Sequence, residues 1–334
     1  MLLFSPAILA ADPPQGTVVC WGYYMGYDDA PGSLKVLKLA GKPVTNAIAI
    51  AAGDNHALAL RNDGTVVGWG ANTYDQAVGY SLTNSDRATG VVRIDGEVLS
   101  DVVAIAAGVD HSLALKADST VVGWGSHVVP TGLSNIASIA TGYNYSMGVK
   151  TDGTVICLGG GDRSIWRATH SGYSERDYAS IFLGVGDSRI VEGLSNAVAA
   201  AVLYGQHSPS MALKTNGTVV EISIDKKVAR TFGASNVIAI TGGREGLFLM
   251  NDGTVVGRDP TADVPAGLSN VVAIAAGPRH NLALKKDGSV TMWGGPFAKQ
   301  LAVPTNLSNV VAVSVGMDFF LAITTNTTLT ATNK

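Results

Sequence analysis

Charge is scarce in this chain. Lysine, arginine, aspartate and glutamate make up 15% of its 334 residues, and the formal net charge is −3. The lysines and arginines are scattered, so there is no basic field for nucleic acid. Cysteine is nearly absent: the chain has two, Cys20 and Cys157. Two cysteines cannot build a disulfide-stapled framework. No apolar run is long enough to span a bilayer, and no stretch has the 3.6-residue periodicity of a useful amphipathic helix. Catalytic signatures are missing as well. There is no Gly-x-Ser-x-Gly, no phosphate-binding glycine loop and no metal-ligating histidine pair. The run Gly-Gly-Gly-Asp at 159–162 lacks the Lys-Ser/Thr that would make it a phosphate loop. Enzyme chemistry therefore has no residue-level support, and neither a cofactor nor a metal is expected.

What the chain has in abundance is glycine, 40 residues of it, and repetition. The cleanest copy of the repeat reads Val-Val-Ala-Ile-Ala-Ala-Gly (102–108), Val-Asp-His-Ser-Leu-Ala-Leu-Lys (109–116), Thr-Val-Val-Gly-Trp-Gly (120–125). Near-copies occupy 47–70 and 271–294. Aligned on the histidine position, the series runs His56, His111, Tyr145, Pro209, Glu245, His280, Phe319. Three residues earlier lie Gly53, Gly108, Gly142, Gln206, Gly242, Gly277 and Gly316, at intervals of 55, 34, 64, 36, 35 and 39 residues. Seven units with two long insertions match the periods of propellers and solenoids.

Each unit reads as β-structure. Short apolar segments alternate with turns, and the recurrent Asp-Gly supplies the positive φ that a tight turn needs. Connectors carrying Val-Pro leave room for a fourth strand. A ring is favoured over a linear stack for two reasons. The first strand is rich in Ala and Gly, which fit a crowded axis. The chain also starts in mid-repeat, because Thr17–Gly22 matches a third strand with no full unit before it. Strands from both termini can then share one blade and leave no open edge. The expectation is an all-β, seven-bladed β-propeller closed by strands from both termini, forming a single domain over 1–334. Thr17–Gly22 is expected to join 310–325, with the weak segment 328–333 surplus. Residues 1–15 read as a signal remnant or an irregular strand.

The motif Gly-x-x-His-x-Leu-Ala-Leu-Lys-x-Asp-Gly-Thr-Val-Val-Gly-Trp-Gly, carried at 50–70, 105–125 and 274–294, resembles the regulator-of-chromosome-condensation repeat family. Copies at 142–159, 206–223 and 242–258 lose the tryptophan to Leu158, Ile222 and Arg258. Family members form seven-bladed propellers. The compact units resemble the short-repeat bacterial branch, which includes a propeller type that caps β-lactamase active sites. The eukaryotic founder is a nucleotide-exchange factor for a small GTPase. Fold does not carry function across such a family. The resemblance implies a non-enzymatic protein-binding propeller scaffold, with a glycan-binding or cell-surface module and a guanine-nucleotide exchange factor as alternatives.

Residues that recur read as scaffold. His56, His111 and His280 sit in separate blades, so each ring is expected to bond turn backbone within its own blade. Trp21, Trp69, Trp124 and Trp293 pack blades, and the Asp-Gly aspartates make turns rather than calcium loops. Cys20 and Cys157 share one repeat position, too far apart around a ring to bond, and read as buried thiols.

Residues that break the repeat read as contact candidates, because aromatics and arginine dominate binding hot spots. The turns after the glycines would place Tyr143, Tyr145, Arg244, Arg279 and Phe319 around one propeller face. The alternative for Tyr145 and Phe319 is that they replace the structural histidine and pack inward. The insertion 159–193 adds Trp166, Arg167, Tyr173, Arg176 and Tyr178, and long loops on rigid scaffolds often carry function. A second insertion, 71–100, is rich in Asn, Asp, Thr and Tyr. A protein partner is expected first and a glycan second, for a monomer. An extracellular or periplasmic setting is slightly favoured over the cytoplasm.

Overall fold

The computed structural model describes residues 15–22, 33–82, 86–126, 132–143, 145–158, 188–205, 209–223, 227–259, 262–295 and 302–325. The segments at 1–14 and 328–333 lie outside the described residues. So does most of the 159–193 insertion, including Trp166, Arg167, Tyr173, Arg176 and Tyr178.

Seven antiparallel sheets form the blades of a β-propeller. Blade 1 runs Ala47–Ala52, His56–Arg61, Val66–Ala71, Arg87–Val91 from the axis outward. The inner strands of blades 2 to 6 are Val102–Ala107, Ile136–Thr141, Ala197–Val202, Val237–Thr241 and Val271–Ala276. Blade 7 takes its two inner strands, Val310–Val315 and Phe319–Thr324, from the end of the chain. Its outer strands, Thr17–Gly22 and Lys35–Val36, come from the start. Thr17 pairs with Thr324 and Gly22 with Phe319, so the ring closes as the mid-repeat start implied. The insertions supply outer strands: Arg87–Val91 falls within 71–100, and Ser188–Ile190 within 159–193.

Blades are covered on both faces by their neighbours. Their second strands are accordingly buried almost end to end, and His56–Arg61 and His111–Lys116 read as near-continuous apolar runs rather than alternating ones. The core is divided. Seven apolar clusters sit in the seven spaces between adjacent blades, from the blade 1–2 cluster around Leu58 and Trp124 to the blade 7–1 cluster around Ile50 and Leu321.

Backbone links tie each blade to the next. The first inner-strand amide of every blade donates to a turn carbonyl of the preceding blade: Val102 to Gly64, Ile136 to Ser119, Ala197 to Gly153, Val237 to Gly217, Val271 to Gly253 and Val310 to Gly288, at 3.0–3.3 Å. The seventh link runs from Ala47 to Gly16, at 3.1 Å, and joins blade 1 to blade 7. The residue before each inner strand has a left-handed backbone. Asn46, Asp101, Asn135, Asn196, Asn236, Asn270 and Asn309 have φ between 52° and 63°. Each of their carbonyls accepts an amide from the turn after the second strand of its own blade. Asn and Asp tolerate this conformation better than other non-glycine residues. They form a sevenfold marker of the blade count that is independent of the histidine series.

Side chains add a second set of links near the opposite face. His56 Nε2 lies 2.8 Å from Ser112 Oγ in the next blade, and His111 Nε2 lies 2.8 Å from Ser146 Oγ. Ser112 donates its own hydroxyl to the Gln76 carbonyl at 2.8 Å, so His56 is the donor and carries its proton on Nε2. Tyr145 takes the histidine place in blade 3 and bonds Ser210. In blade 5, Glu245 accepts from Asn281 Nδ2 at 3.4 Å. Where the next blade offers a ring instead of a hydroxyl, His280 packs edge-on to Phe320 at 5.5 Å and donates Nδ1–H to Gly294 within its own blade. Phe319 shares a cluster with Ala57. The expected bond within one blade therefore holds for His280. His56 and His111 bond across to the next blade, because a serine follows the histidine position there.

Three stability outcomes follow. Asn196 is exposed with φ 58°, so Asn196→Gly should be near neutral and Asn196→Val should cost about 1–2 kcal/mol in chemical denaturation. Ser112→Ala should cost about 1–3 kcal/mol by leaving buried His56 without its acceptor. The pair His56→Phe with Ser112→Ala, which copies the Phe319–Ala57 pairing of blade 7, should recover at least about 1 kcal/mol of the summed single-variant losses in a double-mutant cycle.

Candidate functional site

The turns that join first to second strands surround the axis at one end of the ring. Glycine is required where each inner strand ends. A Cβ on Gly53 would lie 2.6 Å from His56 Cε1, and one on Gly277 would lie 2.6 Å from the Gly316 carbonyl oxygen in the next blade. Blade 4 breaks this rule. Its inner strand ends on Val202, paired with Ser210, and seven residues intervene, against four between Ala107 and Ser112 in blade 2. Register places Leu203 where other blades have glycine. Gln206, which takes that place in the sequence series, lies outside the described residues. The longer turn accommodates the Leu203 side chain, which is 1% exposed, and it brings Tyr204 to the axis.

Tyr204 Oη donates to Asp54 Oδ2 at 3.0 Å. The bond joins blade 4 to blade 1, which are not neighbours, and so crosses the mouth of the ring. Tyr143 of blade 3 packs edge-on against Tyr204 with ring centroids 5.4 Å apart. Nearby, Arg279 Nη1 pairs with Asp318 Oδ2 at 2.7 Å. The other Asp318 oxygen faces His280 Nε2 at 3.8 Å, too long for a hydrogen bond. Asp110 accepts from Gln76 Nε2 at 3.4 Å. Gln76 is itself buried and comes from the 71–100 insertion. Asn72 folds that insertion down, accepting amides from Ala77 and Val78 at 3.0 and 3.1 Å.

Beneath Asp54 and Tyr204 is a recess of about 70 Å³ with walls from the inner-strand ends, including Gly53, Gly108, Gly277 and Pro278. Below it the axis widens into a chamber of about 670 Å³ lined mainly by Ala, Ile and Val of the inner strands. The small first-strand residues thus do line the axis.

Burial dominates the electrostatics here. Asp54 is 6% exposed. Burial pushes its carboxyl up to about 6, the Tyr204 hydrogen bond opposes this, and Asp110 adds to it. Burial and the nearby Asp54 charge also raise Tyr204 above its ordinary value. Burial pushes His56 down to about 3, so its ring is neutral. Burial likewise pushes the Cys20 thiol up to about 12, and both cysteines are free and buried. The turn aspartates behave differently: hydroxyls of Thr120, Thr254 and Ser289 hold Asp118, Asp252 and Asp287 below the usual carboxylate range. Among the described residues, no group of three or more His, Cys, Asp or Glu is placed to hold a metal ion, and no helix is long and apolar enough to cross a membrane.

The candidate contact residues are placed unequally. Tyr143, Arg244 and Arg279 lie on the turn face, Tyr143 half-buried and both arginines exposed. Tyr145 and Phe319 are 8% and 1% exposed in the histidine place, so their side chains are withdrawn from that surface. Asp54, Tyr204 and Asp318 join the face without having been singled out from sequence. In the sequence Asp54 is an ordinary polar turn residue after Gly53, and the longer blade 4 turn hides Tyr204.

Segments 47–76, 102–128 and 271–297 match the regulator of chromosome condensation (RCC1) repeat. The chain carries RCC1 repeats. No curated protein matches it. Among solved structures, yeast RCC1 (Prp20) bound to Kap60 is 19% identical, covering 94% of this chain and 90% of that one, with a TM-score of 0.65. Prp20p from Saccharomyces cerevisiae, described with its binding to Gsp1p and histones, is also 19% identical, covering 97% and 94%, with a TM-score of 0.66. Human WBSCR16 is 16% identical, covering 93% and 100%, with a TM-score of 0.65. At these identities the likeness is one of fold. The three RCC1 segments fall in blades 1, 2 and 6, which keep both histidine and tryptophan. Blades 3, 4 and 5 have diverged at those positions, and blades 3 and 4 supply Tyr143 and Tyr204.

The charge on Asp54 has a measurable cost. Its folded-state carboxyl titrates above the unfolded one, so the folded protein binds the proton more readily and stability falls as pH rises from about 4 to about 6. At 1.36 kcal/mol per pH unit the loss is at most about 3 kcal/mol. His56 acts in the other direction: its depressed value makes stability fall as pH drops below about 6.5. The comparison must therefore be made between variant and wild type. Asp54→Asn keeps an acceptor for Tyr204 and should be about 1–3 kcal/mol more stable than wild type at pH 8, with the gain vanishing near pH 4 in matched denaturant melts.

Proposed function

We propose that this RCC1-repeat propeller is a non-enzymatic protein-binding scaffold that uses its turn face together with the 159–193 insertion. One observation carries the reading. Scaffold positions repeat from blade to blade, whereas Tyr143, Tyr204, Arg244 and Arg279 depart from the repeat together on the turn face, where Tyr204 lines a recess on the axis. Tyrosine and arginine over a rigid frame are the composition of a binding hot spot, and a face built from several blades suits a macromolecular partner. The insertion is the second part of the contact, on the strength of its Trp166, Arg167, Tyr173, Arg176 and Tyr178.

The second reading is nucleotide exchange on a small GTPase. It draws on the fold likeness to yeast Prp20p, and nucleotide-release kinetics separate it from simple binding. Against it stand the compact repeats of this chain. A glycan ligand at the same face is addressed by glycan-array binding.

The test compares the intact protein with a variant in which residues 165–182 are replaced by a short Gly/Ser linker. Both are first shown to melt cooperatively, then used as bait with mass-spectrometric readout. A partner captured by the intact form and lost with the tip locates the contact in the insertion. Retention by the linker variant, with loss of more than about 1 kcal/mol of affinity in Arg244→Ala or Arg279→Ala, places it on the turn face. Capture of no protein by either form counts against the scaffold reading and favours a glycan.

A further inference from the structure

We propose that the axial recess receives one cationic group from a protein partner, a lysine ammonium or an arginine guanidinium, with Asp54 as its counter-ion and the Tyr143–Tyr204 pair beside it. This rests on the protein-binding reading above and supplies the chemistry of the contact.

The argument starts from Asp54. Its side chain lines the recess and is 6% exposed, yet its one side-chain hydrogen bond among the described residues comes from Tyr204 to Oδ2. The second carboxylate oxygen has no hydrogen-bond partner among them and is not one of the fully buried atoms, so it is left open to a ligand. A buried carboxylate ordinarily takes several donors or a positive charge. The groups that face Asp54 do not supply one directly. They are Tyr204 of blade 4, Asp110 of blade 2, Arg279 of blade 6 and Asp318 of blade 7. The one cation among them, Arg279, is engaged with Asp318 at 2.7 Å and reaches Asp54 only through space. Among the described groups that act on Asp54, three acids including itself stand against one arginine, so its immediate surroundings are negative; Arg244 is exposed on the same face but is not one of these groups.

The recess has the matching size. Its volume of about 70 Å³ is several times the roughly 10–15 Å³ that one water needs on the same measure, so it has room for one ammonium or guanidinium head. Small apolar residues and glycines make up much of its wall, and no lysine, arginine or histidine is among the described residues that line it, so a positive charge must come from outside. Tyr204 lines the recess and is in edge contact with Tyr143 at 5.4 Å, and aromatic surface favours a cation over a neutral group. The energetics agree: Asp54 costs the empty protein stability when ionised, and a cation seated beside it would return that energy on binding. The stability gain expected of Asp54→Asn and the binding loss expected of the same change are two sides of one arrangement.

The test is an NMR titration of the full-length ¹⁵N-labelled protein, which isolates the recess from any partner. The probes are Nα-acetyl-lysinamide and Nα-acetyl-argininamide, with Nα-acetyl-norleucinamide as the uncharged control, each to about 50 mM, a weak-ligand range suited to a single side chain. The charged probes should shift the amides of Gly53, Asp54, Gly108 and Tyr204, and the control should not. Affinity should fall about tenfold between pH 7.5 and pH 5 as Asp54 takes up its proton, and at least about tenfold in Asp54→Asn, a variant whose folding is checked by its melt. Asp63→Asn, which removes an exposed turn carboxylate from another site, should bind like wild type. The proposal is overturned if no probe shifts these amides, if norleucinamide shifts them equally, or if Asp54→Asn binds the charged probes unchanged. It is also overturned if calcium or magnesium alone occupies the recess while the amides do not. Should the recess fail while the linker and arginine variants still alter partner capture, the scaffold reading stands and the cation assignment falls.

Discussion

Ring closure is the constraint on which the rest of this structure depends. A single blade cannot bury its two apolar faces, and each is covered only by the blades on either side. Seven inter-blade clusters therefore stand or fall together, and the chain must bring its last blade against its first. It does so by giving blade 7 strands from both ends. The Ala47–Gly16 hydrogen bond then repeats, across the chain's two ends, the link that joins every other pair of blades. A left-handed Asn or Asp ahead of each inner strand sets the angle at which the next blade begins. The ring is thus built from a local backbone rule applied seven times.

The side-chain links obey a rule of matching rather than of identity. A serine answers His56, His111 and Tyr145, an asparagine answers Glu245, a phenylalanine ring answers His280, and an alanine answers Phe319. In each case the residue at the histidine position is complemented by the residue one further along in the next blade. Buried polar atoms that lose their partner are expensive, so a change on one side is tolerated with a compensating change on the other. This explains why the histidine series can run through tyrosine, glutamate and phenylalanine without loss of the fold.

Departures from the repeat are what distinguish the turn face. Leu203 cannot occupy the glycine place under a four-residue turn. The longer turn that accommodates it carries Tyr204 to the axis, where it meets Asp54 of a blade that blade 4 never touches. Leu203 and the three-residue lengthening of its turn together thus give a polar contact across the mouth and an aromatic pair with Tyr143. The buried carboxylate there is expected to lower stability at neutral pH, because a charge is kept where a neutral residue would pack more favourably.

Much of the fold was legible in the sequence because it is written in local chemistry. Asp-Gly-Thr turns, short apolar strands, small residues for the axis and a start in mid-repeat each act over a few residues, and they recur often enough to count seven blades and to place Thr17–Gly22 beside Phe319–Thr324. The site was legible only in part. Tyr143, Arg244 and Arg279 stood out as departures from the repeat, but their neighbours did not. The Asp54–Tyr204 bond links residues 150 positions apart, and the partner of each histidine lies one blade on. No local pattern encodes such distances. The sequence by itself determined the repeat, the blade count and the closure of the ring, because those follow from backbone conformations and burial periodicities that each segment carries alone. Only the tertiary structure decided which turn residues meet over the axis, which rings pack inward and where a carboxylate is left buried, because these depend on the curvature that brings seven separate turns to one point.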